Sequence, residues 1–223
     1  MTIWNSVGVV DEAVAATLPD WLQPVADAVR GLTGESVSRF LPTDGQGRHS
    51  AVLVLLGMGP AGPDVLLIQR AATMRTHAGE PAFPGGALDD DDLDAAAAAV
   101  REAREETGLD PSGVQVFGHF PDLWVPVNNF VVSPVVAWWS QPSPVRVEDE
   151  AEVAAVHRIP IAELADPANR CLVRHPSGYI APGFTVRGML VWGFTGGVLG
   201  SLLELSGWAS PWNRERIVEV GAI

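Results

Sequence analysis

Residues 101–109 read Arg-Glu-Ala-Arg-Glu-Glu-Thr-Gly-Leu. Glu102, Glu105 and Glu106 stand three and four positions apart, so on a helix of about 3.6 residues per turn they share one face. Like charges at that spacing repel one another in water. A hard divalent cation reverses the sign, because carboxylate oxygens are its preferred ligands. The chemistry to expect is metal-assisted, on a substrate that is itself anionic and above all phosphorylated. The competing reading is a solvated helix face on which Arg101 pairs with Glu102 and Glu105.

The helix that must carry these residues is marked at both ends. Five aspartates lie between positions 89 and 94, and Asp94 or Asp92 suits an N-cap. Their negative charge also complements the helix dipole. Ala95 to Ala99 are the strongest helix formers, and Gly108 is a natural residue to end the helix. Ala96, Ala99, Val100, Ala103 and Thr107 form a small face that lets the backbone approach a sheet. Upstream, Ala51–Leu56 and Val65–Gln69 read as strands of a hairpin, with Gly57 to Pro63 as its turn. Downstream, 114–124, 130–139, 152–159 and 179–186 read as strands, 161–165 as a helical turn, and 187–205 as a C-terminal helix. Pro19 to Arg30 has helical spacing and is closed by Gly31. This order implies an α/β layered domain with a mixed sheet over 49–223, preceded by an N-terminal helical extension over 1–48.

The chain has 223 residues, 47% of them hydrophobic, so a sizeable core is available and disorder throughout is excluded. The 14 basic and 27 acidic residues give a net charge of −13. That field disfavours nucleic acid and anionic membranes as partners, and it disfavours a phosphate substrate unless cations bridge the two. Cys171 is the one cysteine, which excludes an intrachain disulfide and fits a reducing compartment. Met1 to Asn5 lacks a basic and apolar leader, and the apolar run 189–205 is broken by glycines and Glu204. A cytoplasmic protein is the expectation. Eight tryptophans and the N-terminal extension suit a homodimer interface.

These residues resemble the Nudix hydrolase family, whose signature is G-x5-E-x7-R-E-U-x-E-E-x-G-U with U aliphatic. Arg101 to Leu109 matches its second half, counting Ala103 as U. The first half departs: Arg101 lies 15 positions after Gly86, one more than the signature has, and Asp92 stands where it has Glu. An upstream stretch resembles the second signature of the branch that cleaves coenzyme A and its thioesters. It comprises Leu66-Leu67-Ile68-Gln69-Arg70-Ala71, Arg75, His77, Gly79-Glu80-Pro81 and Phe83-Pro84-Gly85-Gly86, with Ile68 and Pro81 departing from the pattern.

The resemblance implies an α/β/α sandwich and Mg²⁺- or Mn²⁺-dependent hydrolysis of a nucleoside diphosphate derivative. For coenzyme A or acyl-coenzyme A the products would be 3′,5′-ADP and the (acyl-)4′-phosphopantetheine. It implies Glu102, Glu105 and Glu106 as metal ligands, with the Gly86 carbonyl as a further oxygen and Arg101 orienting Glu105. Arg70, Arg75 and His77 are the candidates for substrate phosphates, since guanidinium forks match phosphate. A general base would come from the glutamates or from Glu148, Asp149, Glu150 or Glu152, each of which by itself reads more readily as solvated loop. Glu80 is open between ligand and structural partner. ADP-ribose or a dinucleotide is the alternative substrate, and a catalytically silent nucleotide-sensing module is the alternative class. Trp124, Trp138 and Trp139 read as core or interface residues rather than stacking platforms, and Cys171 as a buried or partly buried apolar side chain.

Overall fold

The computed structural model describes residues 5–43, 47–74 and 76–221. Strand β1 (Val9–Val10) leads into three short helices, α1 (Glu12–Ala15), α2 (Gln23–Val29) and α3 (Gly34–Val37). Helix α2 starts four residues later than its apolar spacing suggests, because Pro24 belongs in a first turn, where no amide hydrogen is needed. The hairpin follows as β2 (Arg48–Gly59) and β3 (Gly62–Arg70), antiparallel with Leu56 opposite Val65. Then come β4 (Pro81–Ala82), β5 (Gly85–Ala87) and the helix α4 (Ala95–Thr107).

The strand expected over 114–124 is broken into β6 (Val114–His119) and β7 (Leu123–Val125), with Pro121 between them. After β8 (Phe130–Trp139), β9 (Val153–Pro160) and α5 (Ile161–Ala165), the chain departs from the expectation. It forms β10 (Arg170–Arg174), β11 (Ile180–Val186), β12 (Met189–Val191), α6 (Gly193–Leu205) and β13 (Ile217–Glu219). The single helix expected over 187–205 is a turn, a strand and a shorter helix. Positive φ at Arg187, Gly188 (φ 76°) and Gly193 (φ 61°) cannot be accommodated inside a helix.

Among the described residues the strands form a nine-stranded sheet and a separate four-stranded sheet, β12-β11-β10-β13. The centre of the large sheet is the parallel pair β2 and β8, in register from Arg48 opposite Phe130 to Gly57 opposite Trp139. Strand β2 changes partner along its length: Ser50 to Val52 pair with β5, and Leu56 to Gly59 pair with β3. That switch sets β5 beside α4.

Alternation along β2 divides the core into two layers. Leu53 and Leu55 face Ala98, Ala99 and Ala103 of α4, while Val54 and Leu56 face the layer of α2 and α6. Helices on both faces of a mixed sheet make the expected α/β architecture. The N-terminal segment is built into it. Strand β1 pairs with β6, and Leu22, Val25 and Val29 are completely buried beside Val198 and Leu199 of α6. Each such side chain contributes about 1.5–3 kcal/mol of transfer free energy. Trp139 and Cys171 are core residues, as read from sequence. Among the described residues no helix is long and apolar enough to cross a membrane.

Candidate active site

Helix α4 carries the acidic cluster. Its N-cap is Asp94, not Asp92, in extended backbone with its carboxylate accepting the Ala97 N–H at 2.8 Å. Gly108 (φ 67°) ends it and donates its N–H to the Arg104 carbonyl at 2.8 Å. Asp92 is left free for another task.

Arg101 joins helix and loop. Its Nε and Nη2 donate to the Asp92 carboxylate at 3.0 and 2.9 Å, and Nη2 also donates to the Ala87 carbonyl at 3.2 Å. Its Nη1 donates to Glu102 at 3.0 Å and Glu105 at 3.1 Å. The guanidinium holds the Asp92 carboxyl below the usual carboxylate range, with help from the Asp89 N–H. The longer loop thus supplies a second anchor for Arg101. Asp92 serves that end rather than the cluster itself.

The three glutamates are placed differently. Glu106 is buried, 2% exposed. Its Oε2 accepts the Gly85 N–H at 2.9 Å, and its Oε1 is buried with no partner. Burial pushes its pKa up to about 8; the Gly85 N–H opposes this and the Glu102 charge adds to it. Glu102 is also raised, by burial first, against the pull of Arg101. Its carboxylate lies against Gly86, where an added Cβ would collide with it. A Cβ at Gly85 (φ 153°) would strike the Ala51 carbonyl. Gly86 is therefore required by the close approach of α4 to β5, and Gly85 by the close approach of β2. Glu105 faces outward, its side chain 58% exposed and bonded to Arg101.

Arg70 ends β3 beside this cluster. Its Nε is buried without a partner, and its charge draws the Glu106 pKa down. The loop leaving it is closed at its base: the Arg70 N–H donates to the Glu80 carbonyl and the Gly79 N–H to the Arg70 carbonyl. His77 (φ 56°) pairs through Nδ1 with Glu80 Oε2 at 2.9 Å, so Glu80 acts as its partner. Arg75 lies outside the described residues.

Of the four downstream carboxylates, Glu152 is the one whose charge raises both Glu102 and Glu106. Its carbonyl accepts the Ala71 N–H at 2.7 Å, which fixes it next to the end of β3. Glu148 packs against Gly108 at the far end of α4 and pairs with Arg146. The importance of Glu152 follows from the pairing of β9 with β3, which no local pattern announces.

Among the described residues no three carboxylate, imidazole or thiol groups enclose a metal ion by themselves. What the arrangement offers is a buried and a half-buried carboxylate whose charged forms burial disfavours, one orphaned oxygen and an adjacent glycine turn. That donor set suits a hard cation that keeps several waters and takes one or two carboxylates.

Comparison with known proteins agrees with this geometry. The NUDIX domain family matches residues 47–177. The chain is 41% identical over 162 residues to an uncharacterized Nudix hydrolase, NudL, of Cronobacter sakazakii, covering 70% of this chain and 81% of that protein. It is 38% identical, with the same coverage, to NudL of Escherichia coli K12. The crystal structure of the Nudix hydrolase RenU from M. smegmatis superposes with a TM-score of 0.50 at 22% identity, over 77% of this chain and 100% of that one, which speaks to the fold. The chain belongs to the Nudix hydrolase family, enzymes that use divalent cations to act on nucleoside diphosphate derivatives.

Proposed function

We propose that the chain hydrolyses the diphosphate bond of coenzyme A or acyl-coenzyme A, releasing 3′,5′-ADP and (acyl-)4′-phosphopantetheine. In this reading Glu102, Glu105, Glu106 and the Gly86 carbonyl hold Mg²⁺ or Mn²⁺. A divalent ion held there would supply charge neutralisation for the diphosphate and activation of water. The observation that carries the assignment is Glu106: a buried carboxylate with an unpartnered Oε1 and a pKa raised to about 8, which a cation would satisfy.

Arg101 holds Glu102 and Glu105 against Asp92 and the Ala87 carbonyl, so their carboxylates stay oriented. Glu152, set beside the pair by the Ala71 N–H, is the acceptor for the water's proton. Arg70, whose Nε–H is buried without a partner beside Glu106, is the candidate to bring positive charge to a substrate phosphate. His77 and Arg75 are the further candidates for contact with substrate phosphates. What supports coenzyme A over other diphosphates is the resemblance of the stretch from Leu66 to Gly86 to the second signature of that branch; this stretch includes the turn closed by Arg70 and Glu80, in which His77 pairs with Glu80. A cytoplasmic setting fits the lone buried thiol of Cys171.

The test is product analysis by mass spectrometry after incubation with coenzyme A, ADP-ribose or a dinucleotide, each with Mg²⁺ or Mn²⁺. Formation of 3′,5′-ADP and phosphopantetheine, abolished by chelation, is the expected result. Preferential cleavage of ADP-ribose or the dinucleotide would retain the family and refute the coenzyme A reading.

A further inference from the structure

A second constellation lies on the other side of the large sheet. A cavity of about 420 Å³ opens between α6, β7 and the segment around Phe40. Helix α6 packs in the core layer of Leu22 and Val54, whereas α4 packs in the opposite layer, so the sheet separates this cavity from the glutamates.

Arg170 lies in its wall and is 1% exposed. Its guanidinium sits between the rings of Phe184 and Trp212, 4.9 and 4.8 Å from their centroids. Nη2 reaches Glu204 at 3.3 Å, but Nε and Nη1 are buried without partners. A buried cation with most of its donors unused is costly, and β-sheet position alone does not call for arginine here. The charged residues on the wall are Arg170, Arg214 and Glu204, which leaves one positive charge in a chain of net −13. The remaining lining is mostly apolar, with the rings of Phe40, Trp124, Tyr179, Phe194 and Trp212 among it.

The space itself is made by α6. Gly193, Gly197 and Gly200 all line it. Gly193 is explained by its φ of 61°. Gly197 is not explained by packing, since a Cβ there would meet nothing within 4 Å. Glycine inside a helix is destabilising relative to alanine, so an interior glycine that faces open space keeps that space open at the helix's expense.

We propose that this cavity is a binding site, separate from the cluster on α4, for a small monocarboxylate with an apolar body, its carboxylate held by Arg170. One negative charge matches the one unbalanced positive charge; a phosphate dianion would be left uncompensated. The volume suits a body of medium-chain or bicyclic size.

Isothermal titration of the full chain with decanoate and with 2-naphthoate tests this, with the methyl ester of each as the neutral control. At least one acid is expected to bind one to one, at least tenfold more tightly than its ester, and the tighter acid identifies the body as aliphatic or aromatic. Gly197→Leu fills the cavity and is expected to weaken that binding at least tenfold while turnover of coenzyme A stays at the wild-type rate. Arg170→Gln is expected to erase the preference for acid over ester; should that variant not fold, Gly197→Leu decides alone. Failure of both acids to bind, equal binding of ester and acid, or unchanged binding to Gly197→Leu would overturn the proposal. Loss of turnover together with binding in a folded Gly197→Leu protein would overturn its separation from the active site.

Discussion

Replacing Glu106 by Gln isolates the protonation of one buried group. In the folded protein this carboxyl titrates near 8, against 4.5 for an ordinary glutamate. The folded state therefore keeps a proton that the unfolded chain has already released. Stability falls as pH rises through that window, because the folded state must give up the proton while the unfolded state does not. Between pH 7 and 9 a group titrating near 8 removes about 1.4 kcal/mol of folding free energy. Two other kinds of group bound the window. Burial lowers His119 and His157 from their ordinary 6.5, so they add stability with rising pH, and that gain is complete by about pH 7. Burial raises the Cys171 thiol above 9.0, so it acts in the same direction as Glu106 but only toward the top of the range. Gln at position 106 keeps an acceptor for the Gly85 N–H and has no proton to lose. Urea unfolding of metal-free protein at pH 7, 8 and 9 is the assay. The decline in the wild type is expected to exceed that in Glu106→Gln by about 1.4 kcal/mol. Parallel pH profiles would refute the claim that Glu106 is held protonated by its surroundings.

Three further outcomes follow from the same geometry. Gly86→Ala drives a methyl group into the Glu102 carboxylate, and is expected to lower turnover at least tenfold and stability by about 1–3 kcal/mol, read by steady-state kinetics and thermal unfolding. Arg101→Lys keeps the charge but loses the fork that spans Asp92, Glu102 and Glu105; a fall in turnover of at least tenfold is expected with the Michaelis constant little changed, and unchanged turnover would reduce Arg101 to a surface pair. Leu22→Ala, at the N-cap of α2, empties a completely buried position and is expected to cost about 2–5 kcal/mol in chemical denaturation, although Leu22 lies outside the region matched by the family.

The parts legible in the sequence are those governed by local rules. Helix α4 was marked by an aspartate cap, an alanine run and Gly108, and its observed span ends where those residues say it must. The hairpin of β2 and β3 was visible in two apolar runs around a glycine- and proline-rich turn. The small face of α4 and its acidic edge were both readable from spacing. What spacing alone left open was how the three glutamates differ. Glu106 is buried because β5 pairs with β2 at Val52 and Ala51, which brings Gly85 and Gly86 under the helix; Glu105, one position earlier, faces water. Asp92 looked like a cap and is instead the counter-ion of Arg101, a distinction that depends on the path of the loop.

The second sheet was the least legible part. Its β10 and β13 pair in parallel, Leu172 opposite Ile217, across 45 positions that include a hairpin and a helix. Short strands with such distant partners carry little periodic signal of their own. The glycines of 188–200 weaken the helical reading of that segment, but which of them turn the chain and which lie inside α6 depends on φ values that emerge only with the packing.

The most direct test of the account is Mn²⁺ binding to the wild type and to a Glu102→Gln, Glu106→Gln double variant, followed by electron paramagnetic resonance at pH 7 and pH 9. Binding to the wild type is expected to strengthen with pH, as the cation competes less with protons on the raised carboxyls, and the folded variant is expected to lose at least tenfold in affinity. Equal affinity in the two proteins at both pH values would contradict the assignment of the metal to the carboxylates that α4 holds against Gly85 and Gly86.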